Sequence, residues 1–242
     1  PILKAFGYEF EPVSIWSTEY NLPFTAVLII TGLILIVMGI ASDENAVKNY
    51  RNILKRPGNP ADDFLILDGK GAVFINTGVN IIVSTVVLLL IGGDLNGPTI
   101  GGILTIAGFS VKGKHVRNIL PVMIGIILSG LMRGDGAVST PSAQLALLFG
   151  TTLAPVSGTY GALAGVAAGF IHSCVVLYAG AGYSGVNLYN NGFCGGLVSI
   201  VMHSMLSEFF KPKEYSEPSE SMKPKKKPEE PLPDLSDLDL FE

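Results

Sequence analysis

The sequence predicts an all-α, polytopic integral membrane protein, and three observations carry that expectation. The 242 residues are 48% hydrophobic and 15% charged, where an ordinary soluble domain is about 25% charged. The charges are segregated, with no Asp, Glu, Lys or Arg between Asp135 and Glu208. The apolar residues form runs near the ~20 residues that a helix needs to cross a ~30 Å hydrocarbon core, and mean hydropathy is +0.47.

In chain order, residues 1–22 are a polar and aromatic lead without the layout of a signal peptide. Pro23–Ser42 holds no charge and stops at Asp43, so it reads as a span; residues 43–71 form a loop carrying Lys48, Arg51, Lys55, Arg56 and Lys70. Ala72–Gly93 is a second span, closed by Gly-Gly-Asp. Gly97–Val111, Asn118–Met132 and Ser142–Val156 are shorter, about fifteen residues each or roughly 22 Å of helix at 1.5 Å per residue. They read as short spans, as fillers beside tilted neighbours, or as re-entrant half-helices. Tyr160–Gly180 and Asn191–Phe210 are again long enough to cross. Residues 23–210 thus hold about seven hydrophobic segments, of which those at Gly97 and Ser142 are the candidates for re-entry. Residues 211–242 are rich in Pro, with a Lys-Pro-Lys-Lys-Lys run at Lys223–Lys227 and an acidic, leucine-containing end, and are expected to be a disordered tail. That tail is either a solvated segment with lipid-facing lysines or a partner-binding motif.

The Lys and Arg bias orients the chain. If every segment crosses, all the basic residues except Lys4 and Arg133 share one side. If the Gly97 and Ser142 segments re-enter, Lys112, Lys114 and Arg117 leave that side and Arg133 joins it. Either way the 43–71 loop and the tail are expected in the cytoplasm, with the helices in the cell membrane.

Several function classes find no residues to use. Cys174 and Cys194 both lie in apolar runs, so they read as packing residues rather than a disulfide framework or a zinc cluster. The basic residues form no stripe, which leaves nucleic acid without a footprint. Gly108-Phe-Ser-Val-Lys-Gly-Lys-His fits the spacing of a phosphate-binding loop but places His115 where Ser or Thr would meet magnesium, and it follows an apolar helix rather than a strand. Gly182-Tyr-Ser-Gly resembles an intramembrane serine protease motif, yet Ser184 sits in a glycine-rich turn. No metal site, cofactor or enzymatic activity is expected.

The polar residues inside the apolar half are the candidate binding residues. Asn187, Asn190 and Asn191 precede a glycine-rich stretch that reads as a helix start, and Asn96-Gly-Pro-Thr-Ile-Gly-Gly repeats the theme with a good N-cap and a Pro suited to the first turn. Helix N-termini at membrane depth survive where they are buried in protein or line a wet cavity, as in transporters. The alternative is an interfacial cap. His172 and His203 are the ionisable groups within the spans besides Tyr and Cys, and serve either as site residues or as interhelical donors. Asn76, Asn80 and Ser84 share one helical face that should point inward, as glue or cavity lining. Gly161, Gly165 and Gly169 permit close helix approach.

Four stretches together resemble a known family: Asp94-Leu-Asn-Gly-Pro-Thr-Ile-Gly-Gly, Gly113-Lys-His-Val-Arg-Asn-Ile-Leu-Pro-Val-Met-Ile-Gly, Leu153-Ala-Pro-Val-Ser-Gly-Thr-Tyr-Gly and Gly185-Val-Asn-Leu-Tyr-Asn-Asn-Gly-Phe-Cys-Gly-Gly-Leu-Val. They are similar to an uncharacterised bacterial family of multi-spanning membrane proteins known as a domain of unknown function, over roughly Asp68–Ser207. The resemblance implies a membrane fold and, because members are longer, that this chain is the C-terminal half. It implies no substrate; it draws attention to Asn96, His115 and Asn187–Asn191.

The expectation for function is a channel or secondary transporter for a small polar solute, uncharged because the C-terminal half lacks fixed charge, with Lys112, Lys114 or His115 supplying charge at the mouth. The alternative is a non-transporting scaffold whose tail recruits a partner. Expected partners are the bilayer, the solute, and a second copy or an N-terminal half.

Overall fold

An apolar run in lipid has to satisfy its backbone N–H and C=O groups internally, which a helix does. The computed structural model of the chain describes residues 19–59, 62–179, 187–213 and 217–223, with backbone alone at 187–189. It is helical, and no strand occurs among the described residues. In order the helices are α1 (Asn21–Ser42), α2 (Ala46–Ile53), α3 (Phe64–Asp68), α4 (Lys70–Leu90), α5 (Gly97–Gly108), α6 (Val116–Met132), α7 (Pro141–Phe149), α8 (Ala154–Tyr160), α9 (Ala162–Ala179) and α10 (Asn187–Phe209). Four are long and apolar enough to cross a membrane: α1, α4, α9 and, over Asn190–Phe209, α10.

Local chemistry sets the ends. The Asp63 carboxylate accepts from Leu65 N and Ile66 N to start α3, Asn96 accepts from Thr99 N to start α5, and Thr140 accepts from Ala143 N ahead of Pro141 in α7. Within the apolar helices Thr25, Thr77, Thr85 and Thr105 donate their hydroxyls to the carbonyl four residues back, so they need no outside partner.

Close backbone approach holds α1 to α4: a Cβ on Gly78 would collide with the Gly32 carbonyl, and one on Gly71 would lie 2.9 Å from the Gly39 carbonyl. Helices α6 and α9 run in the same direction, since Val122 meets Gly169 and Ser129 meets Cys174. The predicted triple of glycines is therefore used in part: Gly165 and Gly169 pack on α6, whereas Gly161, at φ +98°, is the joint between α8 and α9.

Polar contacts mark two ends of the bundle. At one, Asn21 donates to Asp94 at 2.6 Å and accepts from Leu95 N, and Gln144 accepts from Asp94 N. At the other, the α2–α3 loop meets the α5–α6 turn, the α8 terminus and the chain beyond α10: Arg56 O receives His115 Nε2 at 3.0 Å, Thr159 donates to Asn59, and Glu217 O and Ser219 contact Arg56 and Asp68.

Two expectations about elements need correction. The segment predicted as Ser142–Val156 runs from Pro141 to Tyr160 and is interrupted by a 3₁₀ turn at Gly150–Leu153. Pro155 has no N–H and its ring excludes the carbonyl four residues back, at Thr151. Part of the tail is also ordered on the protein: Glu217–Lys223 lies along α2 and α3, where Ser219 N donates to Leu67 O, Ser219 Oγ to Asp68 and Asn49 to Ser221 Oγ. Serine and backbone groups there complete the shell of a buried Arg56–Asp68 pair at 2.6 and 2.8 Å, which explains why a polar segment docks.

Candidate functional site

The turn between α5 and α6 is recessed. Asn76 Nδ2 donates to the carbonyls of Ser110 and Lys114, both at 2.8 Å, and Asn80 Nδ2 donates to Ser110 Oγ at 2.7 Å and Lys114 O at 3.2 Å. These asparagines lie six and ten residues into α4, roughly 9 and 15 Å from its start. The α2–α3 loop dips to the same depth: Gly58 and Gly113 face each other, at φ +78° and +93°, and a Cβ on Gly58 would strike the Gly113 carbonyl. Both the positive φ and the contact require glycine there.

This arrangement buries Lys114, which is 6% exposed. Its Nζ donates to Thr151 Oγ1 at 2.9 Å and lies 5.0 Å from the Phe109 ring centre. Lys114 forms no ion pair among the described residues, and burial pushes its amine down to about 8. Thr151 belongs to the interruption between α7 and α8, so the amine sits at a broken helix. A cavity of about 430 Å³ lies alongside, lined by Phe109, Lys112, Lys114, Thr152, Pro155 and the Gly58 loop. Lys114 and His115 were expected at a mouth; the structure instead buries both, because the asparagines of α4 draw the turn inward.

His115 is 1% exposed, with Nε2 on the Arg56 carbonyl and Nδ1 unpartnered among the described residues. Burial chiefly holds its pKa down to about 4; the carbonyl bond raises it, and Arg117 and Lys213 lower it further. Its backbone N–H donates to Asn118 Oδ1 at the start of α6.

On the far side of the interruption, His172 Nε2 and Asn191 Oδ1 pair at 3.2 Å between α9 and α10, and Asn190 Nδ2 donates to Val176 O at 3.0 Å. The ring of His172 packs on Gly150, where a Cβ would come within 2.8 Å of it. Asn190 and Asn191 do not cap α10, as the sequence suggested. The described helix already includes Asn187, whose side chain lies outside the described residues, so both amides emerge from within the helix and join helices. Ser184 also lies outside the described residues.

The remaining candidates are apart from this centre. Asn96 caps α5 at the Asp94 end. His203 Nδ1 and Tyr160 Oη pair at 2.8 Å in an exposed position. The structure thus brings Asn76, Lys114 and His115 to one turn and His172, Asn190 and Asn191 to the other face of the helix break. Sequence reasoning missed Thr151 and Asp62. The latter is fully buried, and its Oδ2 accepts from Gly58 N and Asn59 N to shape the recessed loop. Pro155 was the available signal for the break.

The chain belongs to the family described as "Protein of unknown function (DUF1576)", whose family model matches residues 42–208. That range begins as α1 ends and includes the Lys114 turn, the helix break and the His172–Asn191 pair. Comparison with curated proteins gives no match, and neither does comparison with solved structures.

Proposed function

For this DUF1576 member we propose a channel or secondary transporter of the cell membrane that passes a small polar solute along the Lys114–Thr151 helix break. The observation that carries the reading is Lys114 itself. A buried amine without a carboxylate partner weakens a fold, so helix packing alone gives no reason for it, whereas a solute site built at a broken helix does. The adjoining cavity supplies room. Lys114 and Thr152 offer donors there, which narrows the uncharged solute expected from the sequence to one rich in acceptor oxygens.

In this reading the Gly97 segment runs from Asn96 at the Asp94 end to the recessed turn, where the Ser110 and Lys114 carbonyls meet the α4 asparagines, and the Pro141 segment continues past its break to Thr159 at the Asn59 loop. The Lys and Arg bias assigns the Arg56 end, with the start of the tail, to the cytoplasm. The test is stopped-flow light scattering on proteoliposomes, with glycerol and urea gradients as probes. Flux of at least one probe that is lost in Lys114→Met supports the proposal. Equal flux in the variant and the unaltered protein overturns the site, and no flux from folded protein favours the scaffold reading.

A further inference from the structure

A second cavity, of about 320 Å³, opens at the Arg56 end between the α2–α3 loop, the start of α6 and the α8–α9 joint. It lies within the size range of small-molecule sites. Every charged residue lining it is basic: Lys55, Arg56, Arg117 and Lys213. Arg56 is neutralised by Asp68, but Lys55, Arg117 and Lys213 form no ion pair among the described residues. These three are exposed and make the rim, while His115, Asn118 and Ser157, at 1%, 1% and 4% exposure, make the floor.

The floor is built rather than incidental. Asn118 is fixed by its bonds to His115 N and Gly113 O, and Gly161 makes the sharp joint beside Ser157. Helix α6 starts here, so its positive end adds to the field of the rim. Arg117 and Lys213, from two distant parts of the chain, line the same cavity beside His115. Three like charges around one floor repel one another, and an anion held between them relieves that repulsion.

We propose that this cavity binds a phosphate group, gripped by Lys55, Arg117 and Lys213 at the rim and by Ser157 and the α6 N-terminus at the floor. A phosphate carries about −1.5 to −2 charge at neutral pH and presents several acceptor oxygens, which matches three cations better than a carboxylate does. The Arg117 guanidinium adds a fork suited to two of those oxygens. The phosphate is either inorganic phosphate from solution or the phosphomonoester head of a lipid. The site does not depend on the transport reading, since it lies at a different cavity.

The test uses the full chain purified in detergent. Sodium phosphate is titrated by calorimetry against sodium chloride of matched ionic strength, and phosphatidic acid adducts are measured by native mass spectrometry against phosphatidylcholine. The variants are Arg117→Gln/Lys213→Gln, Lys55→Gln, and Lys48→Gln as an exposed control outside the cavity, all required to elute as the unaltered protein does. Saturable phosphate binding weakened about tenfold or more by the cavity variants, and untouched by Lys48→Gln, assigns the site to free phosphate. Phosphatidic acid adducts lost in the same variants, without phosphate binding, assign it to a lipid head. Binding of neither probe, or binding unchanged in the cavity variants, overturns the proposal.

Discussion

Lys114 sets stability against function within one residue. Its amine is buried, with a hydroxyl as its hydrogen-bond partner, and burial disfavours the charged form there, which lowers its pKa. Thr151 does not need the lysine, because its hydroxyl also donates to Leu148 O at 2.6 Å. Lys114→Met is therefore expected to leave the melting temperature in detergent unchanged or raised while abolishing solute flux; a folding defect in the variant would contradict this account. His115 gives a pH signature. The folded protein favours the neutral ring, with a pKa of about 4 against 6.5 when unfolded, so this contribution is complete above pH 6.5 and is lost as pH falls toward 4. The span corresponds to about 3 kcal/mol. Unfolding measured from pH 7 to pH 4 should show a steeper loss in the unaltered protein than in His115→Gln, by an amount of that order. The asparagines of α4 were legible at this scale, since amides one turn apart on an apolar helix must face inward. Their partners were not, because the Ser110 and Lys114 carbonyls become available only when a turn distant in sequence folds onto them.

Among elements, the interrupted crossing from Pro141 to Tyr160 organises the interior: Thr151 meets Lys114 on one side and Gly150 meets His172 on the other. The His172–Asn191 bond then ties α9 to α10. Asn191→Leu removes that acceptor and leaves Nε2 unpaired in a buried position, a change expected to destabilise by about 1–3 kcal/mol. Denaturant titration in mixed micelles measures it. The docked Glu217–Lys223 segment predicts a different effect: a chain ending at residue 213 should exchange amide hydrogens faster in α2 and α3, with α6 and α9 unchanged. The α5 cap could be read directly from Asn-Gly-Pro-Thr, because a cap is a matter of neighbours in sequence. The α10 start could not, since Asn is as compatible with joining helices as with capping them, and the choice was made by His172 and Val176 across the interface.

At the scale of the whole molecule, the Lys and Arg asymmetry visible in the sequence becomes a spatial one. Lys55, Arg56, Lys112, Lys114, Arg117 and Lys213 gather around the Arg56 end, and Arg133 sits apart with its guanidinium on Ser129 O and Ser173 Oγ. The membrane class and the four long helices were legible because length and apolar composition are properties of each segment alone. The recessed loop was not, because it depends on Gly58 meeting Gly113 and Pro57 meeting Gly158. If the proposed orientation holds, a single Cys at exposed Lys112, in a background with Cys174→Ala and Cys194→Ala, is protected from impermeant maleimide in intact cells and labelled after permeabilisation. Labelling from outside would reverse or re-enter the α5 segment.

Helix α1 stands somewhat outside this organisation. Its packing is chiefly on α4, through the Gly32–Gly78 and Gly39–Gly71 approaches, and Val27, Ile30, Leu33, Ile34 and Val37 on its other faces are exposed. In order of synthesis, α1 and α4 are complete before any residue of α5 to α10 exists. The pair can therefore leave the insertion machinery as a finished hairpin, and the later helices can assemble against a partner already in place.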